Sequence, residues 1–216
     1  MKEKVAVATV QGKVYYFIAN ALREKGISFF SLIPGESIPS RAKLVITTNG
    51  EKGLVDYPKI LIYQGEEELD SLLMEIKKIL SGKETYEQII IGIDPGEVIG
   101  LAILADGKIM LECNCYSGRE LVNSILKILK TINFSVTSVI VKIGTGVPVY
   151  RELLWDLDDT LPDEVMLEVV NETGTNRHLT MHSRKIRHIS SAIRIAGRTG
   201  RILMRKKVVA ANSTRE

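Results

Sequence analysis

Asp94 closes an apolar run, Ile89-Ile90-Ile91-Gly92-Ile93, and is followed at once by Pro95-Gly96-Glu97. On physical grounds alone, a carboxylate in that place can serve to cap the turn that ends a strand. His178 and His182 stand four residues apart, the spacing of a metal pair on one helical turn. No acid or cysteine lies near them in sequence, and His182 also falls on an apolar stripe, so core or capping roles suit them better. Cys113 and Cys115 are two apart, which places both thiols on one face of a strand. Two thiols cannot complete a four-ligand zinc site. They read as small buried side chains in a reducing compartment, with a strained disulfide or a metal-ligand pair as alternatives.

A second chemical signal is the distribution of charge. Net charge is only +3, but eleven of the 29 Lys and Arg and only one of the 26 Asp and Glu fall in residues 173–216. The remaining 172 residues therefore carry 18 basic and 25 acidic side chains, a balance of −7 against +10. Such asymmetry points to an anionic partner, nucleic acid first and an anionic membrane surface second. Within the basic segment, Arg184, Arg187, Arg194, Arg198 and Arg201 cluster on one side of a helix read from about His182 to Met204, with Lys185 beside them. Ile186, Ile189, Ile193 and Ala196 form the opposite, apolar stripe, and His188 lies between the two. An ordinary solvated face is the alternative, although no acid is there to pair the arginines.

The elements that must position these residues follow from periodicity. In 216 residues, 45% hydrophobic and 25% charged, there is apolar material for a core in each of two domains, and disorder is excluded for most of the length. Val5–Val10, Ser28–Ile33, Leu44–Thr48 and Ile60–Tyr63 are strand-sized apolar runs, with helical spacing over Lys13–Lys25 and Glu66–Leu80. They predict a small α/β sandwich over residues 1–81, and residues 82–86 read as a linker. A new pattern then occupies residues 87–207, with residues 208–216 as a flexible tail. Strands over Gln88–Asp94, Gly100–Leu104 and Lys108–Tyr116 are antiparallel, because Asp106-Gly107 supplies a two-residue hairpin turn. A helix over Leu121–Thr131, a strand over Ser138–Ile143, a helix over Tyr150–Leu157, a strand over Met166–Asn171 and the final helix complete a βββαβαβα order. No apolar segment approaches the roughly 20 residues of a bilayer span, and Met1-Lys2-Glu3-Lys4 lacks a secretory h-region, so the expectation is a cytoplasmic protein with no membrane partner.

Four segments carry a family resemblance. Ile91-Gly92-Ile93-Asp94-Pro95-Gly96-Glu97-Val98-Ile99-Gly100-Leu101-Ala102 resembles the first-hairpin signature of the RuvC and YqgF-type Holliday junction resolvases, members of the ribonuclease H-like superfamily. Val139-Ile140-Val141-Lys142-Ile143-Gly144-Thr145-Gly146-Val147-Pro148 is similar to the strand and glycine loop of the YqgF group, with Lys142 near the place of a resolvase glutamate. Leu167-Glu168-Val169-Val170-Asn171-Glu172-Thr173-Gly174-Thr175 resembles the strand and Asp-Glu-Arg-x-Thr motif, with Asn171 and Thr173 in place of the flanking aspartate and arginine. Arg187-His188-Ile189-Ser190-Ser191-Ala192 matches the final-helix segment, with His188 where an aspartate is expected.

The resemblance implies a ribonuclease H-like mixed sheet in the C-terminal domain. It further implies Asp94 and Glu172 as metal ligands, and His188 as a ligand or water-orienting group. Two-metal phosphodiester cleavage needs several hard oxygen ligands to hold two ions roughly 4 Å apart. Only two carboxylates match the pattern, so one magnesium ion, or manganese through His188, fits better than a pair.

The first functional expectation is a metal-dependent endonuclease or resolvase-like enzyme acting on DNA or RNA, branched substrates included. The alternative is a ribonuclease H-like nucleic-acid-binding module without catalysis, using Arg184, Lys185, Arg187, Arg194, Arg198 and Arg201 for salt-dependent phosphate contacts. The third is a fragment of an actin-like ATPase, with Gly144-Thr145-Gly146 as a phosphate turn; the absence of a second Asp-x-Gly lobe argues against it. The N-terminal domain has neither a dinucleotide fingerprint nor a Walker loop. Presenting substrate, binding a protein partner and mediating dimerisation all remain open for it, and a homodimer is implied by resemblance.

Overall fold

The computed structural model describes residues 4–171 and 184–205, with side chains from residue 188 onward in the second stretch. The chain divides into two compact units, Met1–Glu84 and Thr85–Glu216.

The first unit contains β1 (Val5–Ala8), α1 (Gly12–Glu24), β2 (Phe29–Leu32), β3 (Leu44–Thr48), β4 (Ile60–Tyr63) and α2 (Leu69–Ser81). All strand pairs are parallel, in the order β2-β1-β3-β4. The central strands β1 and β3 are buried at every position, as parallel strands covered on both faces must be. Val5, Val7 and Ile46 pack against Ile18 and Leu22 of α1 and Leu73 and Ile76 of α2. The other face, built on Ala6, Ala8 and Val45, is covered by Val55, Tyr57 and Ile38 from connecting loops rather than by a helix. Helix α2 stops at Gly82, whose φ of 73° lets the Gly82 and Lys83 N–H groups reach back to Ile79 and Lys78.

The second unit contains β5 (Gln88–Asp94), β6 (Ile99–Ala105), β7 (Lys108–Cys115), α3 (Gly118–Leu129), β8 (Ser138–Gly144), α4 (Tyr150–Thr160), β9 (Val165–Val170), α5 (Arg184–Ala196) and β10 (Arg201–Ile202). The sheet order is β10-β9-β8-β5-β6-β7. Strands β5, β6 and β7 form an antiparallel meander, β8 and β9 join β5 in parallel, and β10 returns antiparallel to β9. Both residues of the Asp106-Gly107 turn have positive φ, as the tight hairpin requires. The Asp106 carboxylate also accepts from the Glu87 and Gln88 N–H groups at 3.0 Å, tying the turn to the start of β5. Ser117 caps α3 by accepting from the Glu120 N–H, while the Glu120 carboxylate accepts from the Tyr116 N–H.

Two expectations about the last helix need correction. It ends at Ala196 rather than near Met204, and Arg201–Ile202 forms β10 instead. Gly197 and Gly200 break it, and Gly200 lies so close to β9 that a Cβ there would come within 2.7 Å of the Val169 carbonyl oxygen. The buried stripe is also rotated. Ala192, Ile195 and Ala196 are at most 2% exposed, whereas Ile189 and Ile193 are only half-buried. Contact with the sheet is made through the smallest side chains because the helix backbone itself touches the strands.

Candidate functional site

That close approach comes from two sheet glycines. A Cβ on Gly92 of β5 would meet the Ala192 carbonyl oxygen far inside contact distance and would lie 2.8 Å from the Ala196 Cβ. A Cβ on Gly100 of β6 would collide with the His188 carbonyl and sit 3.2 Å from its Cα. Helix α5 is thereby seated on β5 and β6, with one turn of it pinned at His188.

Asp94 pairs directly with Gly100 across the β5–β6 ladder. The helix that rests on Gly100 therefore delivers His188 to Asp94. Its Nδ1 is 3.3 Å from the Asp94 Oδ2, with the two side chains 29% and 14% exposed. Gly96, in the turn after β5, lies beside the imidazole: a Cβ there would be 3.9 Å from the His188 Cε1, an ordinary contact. In a neutral imidazole with Nδ1 donating to Asp94, the Nε2 lone pair is left for a water or a metal ion. One carboxylate and one imidazole suit a single divalent ion that keeps several waters. Among the described residues, no group of three or more His, Cys, Asp or Glu is placed to hold a metal.

The other sequence-derived candidates are distributed differently. Glu172, His178 and His182 lie outside the described residues, as do the side chains of Arg184, Lys185 and Arg187. Arg194 is exposed on α5 and donates to the Ser191 hydroxyl at 3.0 Å. Arg198 lies in the turn beyond α5 and its guanidinium approaches the Asn171 carbonyl at 3.4 Å, while Arg201 is exposed on β10. The basic residues thus do not share one helical face. Cys113 and Cys115, on β7, are not joined in a disulfide.

Lys142 is buried, not poised at the site. Its Nζ donates to the Arg198 carbonyl at 2.5 Å and lies 3.3 Å from the Glu168 carboxylate, which also accepts from the Gly200 N–H at 3.1 Å. This ion pair fastens the turn beyond α5 to β8 and β9. Arg205, counted with the basic tail, is 5% exposed and bonded to the Asp158 carboxylate and to the carbonyls of Asp158, Leu161, Pro162 and Val165. Its charge is spent inside the fold.

Asn114 and Glu112 of β7 escaped the sequence reading. Gly100 pairs with Asn114 and Ala102 with Glu112, so both project from the Asp94 face of the sheet. Met110 is an extra residue in the β6–β7 ladder, because Leu104 pairs with Ile109 but Ile103 pairs with Leu111. Without that bulge Cys113, not Asn114, would stand opposite Gly100.

The first unit has its own polar cluster, at the carboxyl ends of β1 and β3. This is the place in an open parallel sheet where ligands commonly bind. Here Glu51 fills it from within: it is 7% exposed, accepting from the Val10 N–H at 2.9 Å and from the Thr48 hydroxyl at 2.7 Å. Gln11 donates to the same Thr48 hydroxyl oxygen at 3.2 Å. Burial pushes the Glu51 carboxyl up, but hydrogen bonds from Thr9, Val10 and Thr48 outweigh it and hold the group below the usual carboxylate range. The only sequence signal for this role was an acid placed just after the Thr47-Thr48-Asn49-Gly50 strand end.

Residues 4–68, within the first unit, match the family model of a response regulator receiver-like domain. No curated protein matches the chain. Among solved structures, the chain is similar to a Bacteroides thetaiotaomicron protein with an actin-like ATPase fold and unknown function, at 14% identity and a TM-score of 0.30, over 53% of this chain and 42% of that one. It is also similar to Marinitoga piezophila Argonaute in complex with a 5′ OH guide RNA, at 12% identity and a TM-score of 0.31, over 83% of this chain and 41% of that one. The chain thus spans about two fifths of the length of each of these structures.

Proposed function

We propose that the second unit is a ribonuclease H-like domain that handles nucleic acid and cleaves phosphodiester bonds with one divalent ion at Asp94 and His188. The observation that carries this reading is the 3.3 Å approach of His188 to Asp94, created by an α5 that can sit there only because Gly92 and Gly100 lack side chains. The strand order β7-β6-β5-β8-β9, with three antiparallel strands followed by two parallel ones, supports the same fold reading.

Asp94 and His188, joined by Glu172 from outside the described residues, would hold magnesium or manganese, which supplies Lewis-acid polarisation of a phosphoryl oxygen and a more acidic water. Asp94 would orient the imidazole through Nδ1 and so leave the Nε2 lone pair to hold the ion. Arg194 and Arg201 offer exposed cations to the phosphate backbone, so affinity falls steeply with salt. Lys142 of β8 and Glu168 of β9 are committed to each other, so neither strand offers a carboxylate to a second ion, and a single ion is preferred over a pair.

That same ion pair favours a second reading, a nucleic-acid-binding module that does not cleave. The two are separated by titrating magnesium and manganese into the protein bound to labelled duplex, single-stranded and branched DNA and RNA, for wild type, Asp94→Asn and His188→Ala. Metal-dependent product that disappears in Asp94→Asn supports the nuclease. Salt-sensitive binding with no product at any metal concentration supports the silent module, and the absence of both removes the nucleic-acid reading.

A further inference from the structure

We infer that Tyr116 is a base-stacking residue of the Asp94 site, which makes the substrate a nucleic acid with an unpaired nucleotide at the cleaved phosphate, a single strand rather than a continuous duplex. The inference rests on the nucleic-acid reading of that site and names its substrate class. Asp94, Gly100 and Asn114 form one row across β5, β6 and β7, and the His188 backbone rests on Gly100 in the middle of it. Tyr116 follows β7, two residues beyond Asn114. Cys115 between them is 1% exposed and Tyr116 is 62% exposed, so strand alternation carries the tyrosine to the Asp94 side. Two strand spacings across and two residues along put its Cα about 12 Å from that of Asp94. With both side chains reaching forward, that gap admits a nucleotide whose phosphate is at the ion and whose base is on the ring.

Single exposed apolar side chains are common on protein surfaces; what distinguishes Tyr116 is its mount. Its N–H donates to the Glu120 carboxylate at 2.7 Å, and the Glu120 N–H donates to the Ser117 hydroxyl at 3.1 Å, so the start of α3 fixes the backbone that carries the ring. Among the described residues no ring or cation stacks on it. Tyrosine has few side-chain torsions to freeze, so a ring displayed from a rigid backbone loses little entropy when a planar partner lands on it. Every base has a π-face, and stacking on an aromatic side chain tolerates any base. In a continuous duplex both faces of each base are covered by its neighbours in the stack, whereas an unpaired or extruded nucleotide leaves one open.

The test uses the full chain without added divalent metal, so that binding is read apart from cleavage. The probes are a short labelled single strand and the blunt duplex of the same sequence, each carrying a base analogue whose fluorescence is quenched by stacking. The single strand is expected to bind at least about tenfold more tightly than the duplex and to be quenched on binding. Tyr116→Ala should weaken the single strand at least about fivefold and remove the quenching while leaving duplex binding unchanged, and Tyr116→Phe, which keeps the ring, should retain both. Circular dichroism establishes that each variant is folded. Single-strand binding and quenching unchanged in folded Tyr116→Ala, or a duplex bound as tightly as the single strand, overturns this inference and leaves the nucleic-acid reading standing. Binding of neither probe overturns both.

Discussion

The two units place a carboxylate at a strand end in opposite ways. In the first, Glu51 turns inward at the carboxyl ends of β1 and β3 and is surrounded by hydroxyl and N–H donors, so its negative charge is stabilised and used to close the sheet edge. In the second, Asp94 ends β5 beside the His188 imidazole and both remain partly accessible. Glu51 is enclosed by the donors it binds, whereas Asp94 and His188 stand at a turn that solvent reaches. The difference lies less in the residues than in what the backbone brings to them.

The largest effect should come from the fastening that holds the seat of His188 in place. Lys142→Met leaves Glu168 buried and unpaired, and should cost the second unit about 3–5 kcal/mol, read from its urea unfolding transition, whereas Lys142→Met/Glu168→Leu should recover most of that loss. A smaller step is Gly100→Ala, whose methyl group must displace the α5 backbone at His188. About 1–3 kcal/mol of destabilisation is expected, with metal-dependent cleavage falling more than folding stability does. Unchanged stability in Gly100→Ala would mean that α5 does not rest on the sheet as described.

In the first unit, Glu51→Ala should cost about 1–3 kcal/mol, because the Val10 N–H and the Thr48 hydroxyl lose a buried acceptor. The pH dependence has a defined sign. The folded-state carboxyl lies below the ordinary glutamate value of 4.5, so its stabilising contribution is full above that value and is lost as pH falls through the lower folded value. Denaturant midpoints of wild type should therefore drop on acidification by more than those of Glu51→Gln. The smallest stability effect is expected at the candidate reactive centre: Asp94→Asn should shift unfolding by less than about 1 kcal/mol, since asparagine keeps the size and an acceptor oxygen of the side chain and the His188 contact is partly exposed. Together with loss of metal-dependent cleavage, that small shift would sharpen the contrast with Glu51; a large one would make Asp94 another fastening.

Most elements were legible because their signals are local. Apolar runs of strand length, the Asp106-Gly107 turn and the helix-stopping Gly82 each act within a few residues. Asp94 was legible for the same reason, as a carboxylate ending an apolar run before Pro95-Gly96. The last helix was misjudged because a hydrophobic stripe reports where large side chains would bury, and α5 instead presents Ala192 and Ala196 to glycines on strands far away in sequence. Arg205 was misjudged because a charge count cannot distinguish a cation in water from one enclosed by Asp158 and four carbonyls.

From its amino-acid order alone this chain is committed to two α/β units, to an antiparallel meander opening the second, and to a carboxylate at the end of β5. What stands around that carboxylate is decided by tertiary structure. The extra Met110 shifts β7 by one residue, turning Asn114 and Glu112 rather than Cys113 and Cys115 toward the Asp94 face. The missing side chains of Gly92 and Gly100 let the α5 backbone descend and bring His188 to Asp94. A bulge and a backbone contact are both non-local: each depends on which atoms meet across strands, and no window of sequence contains both partners.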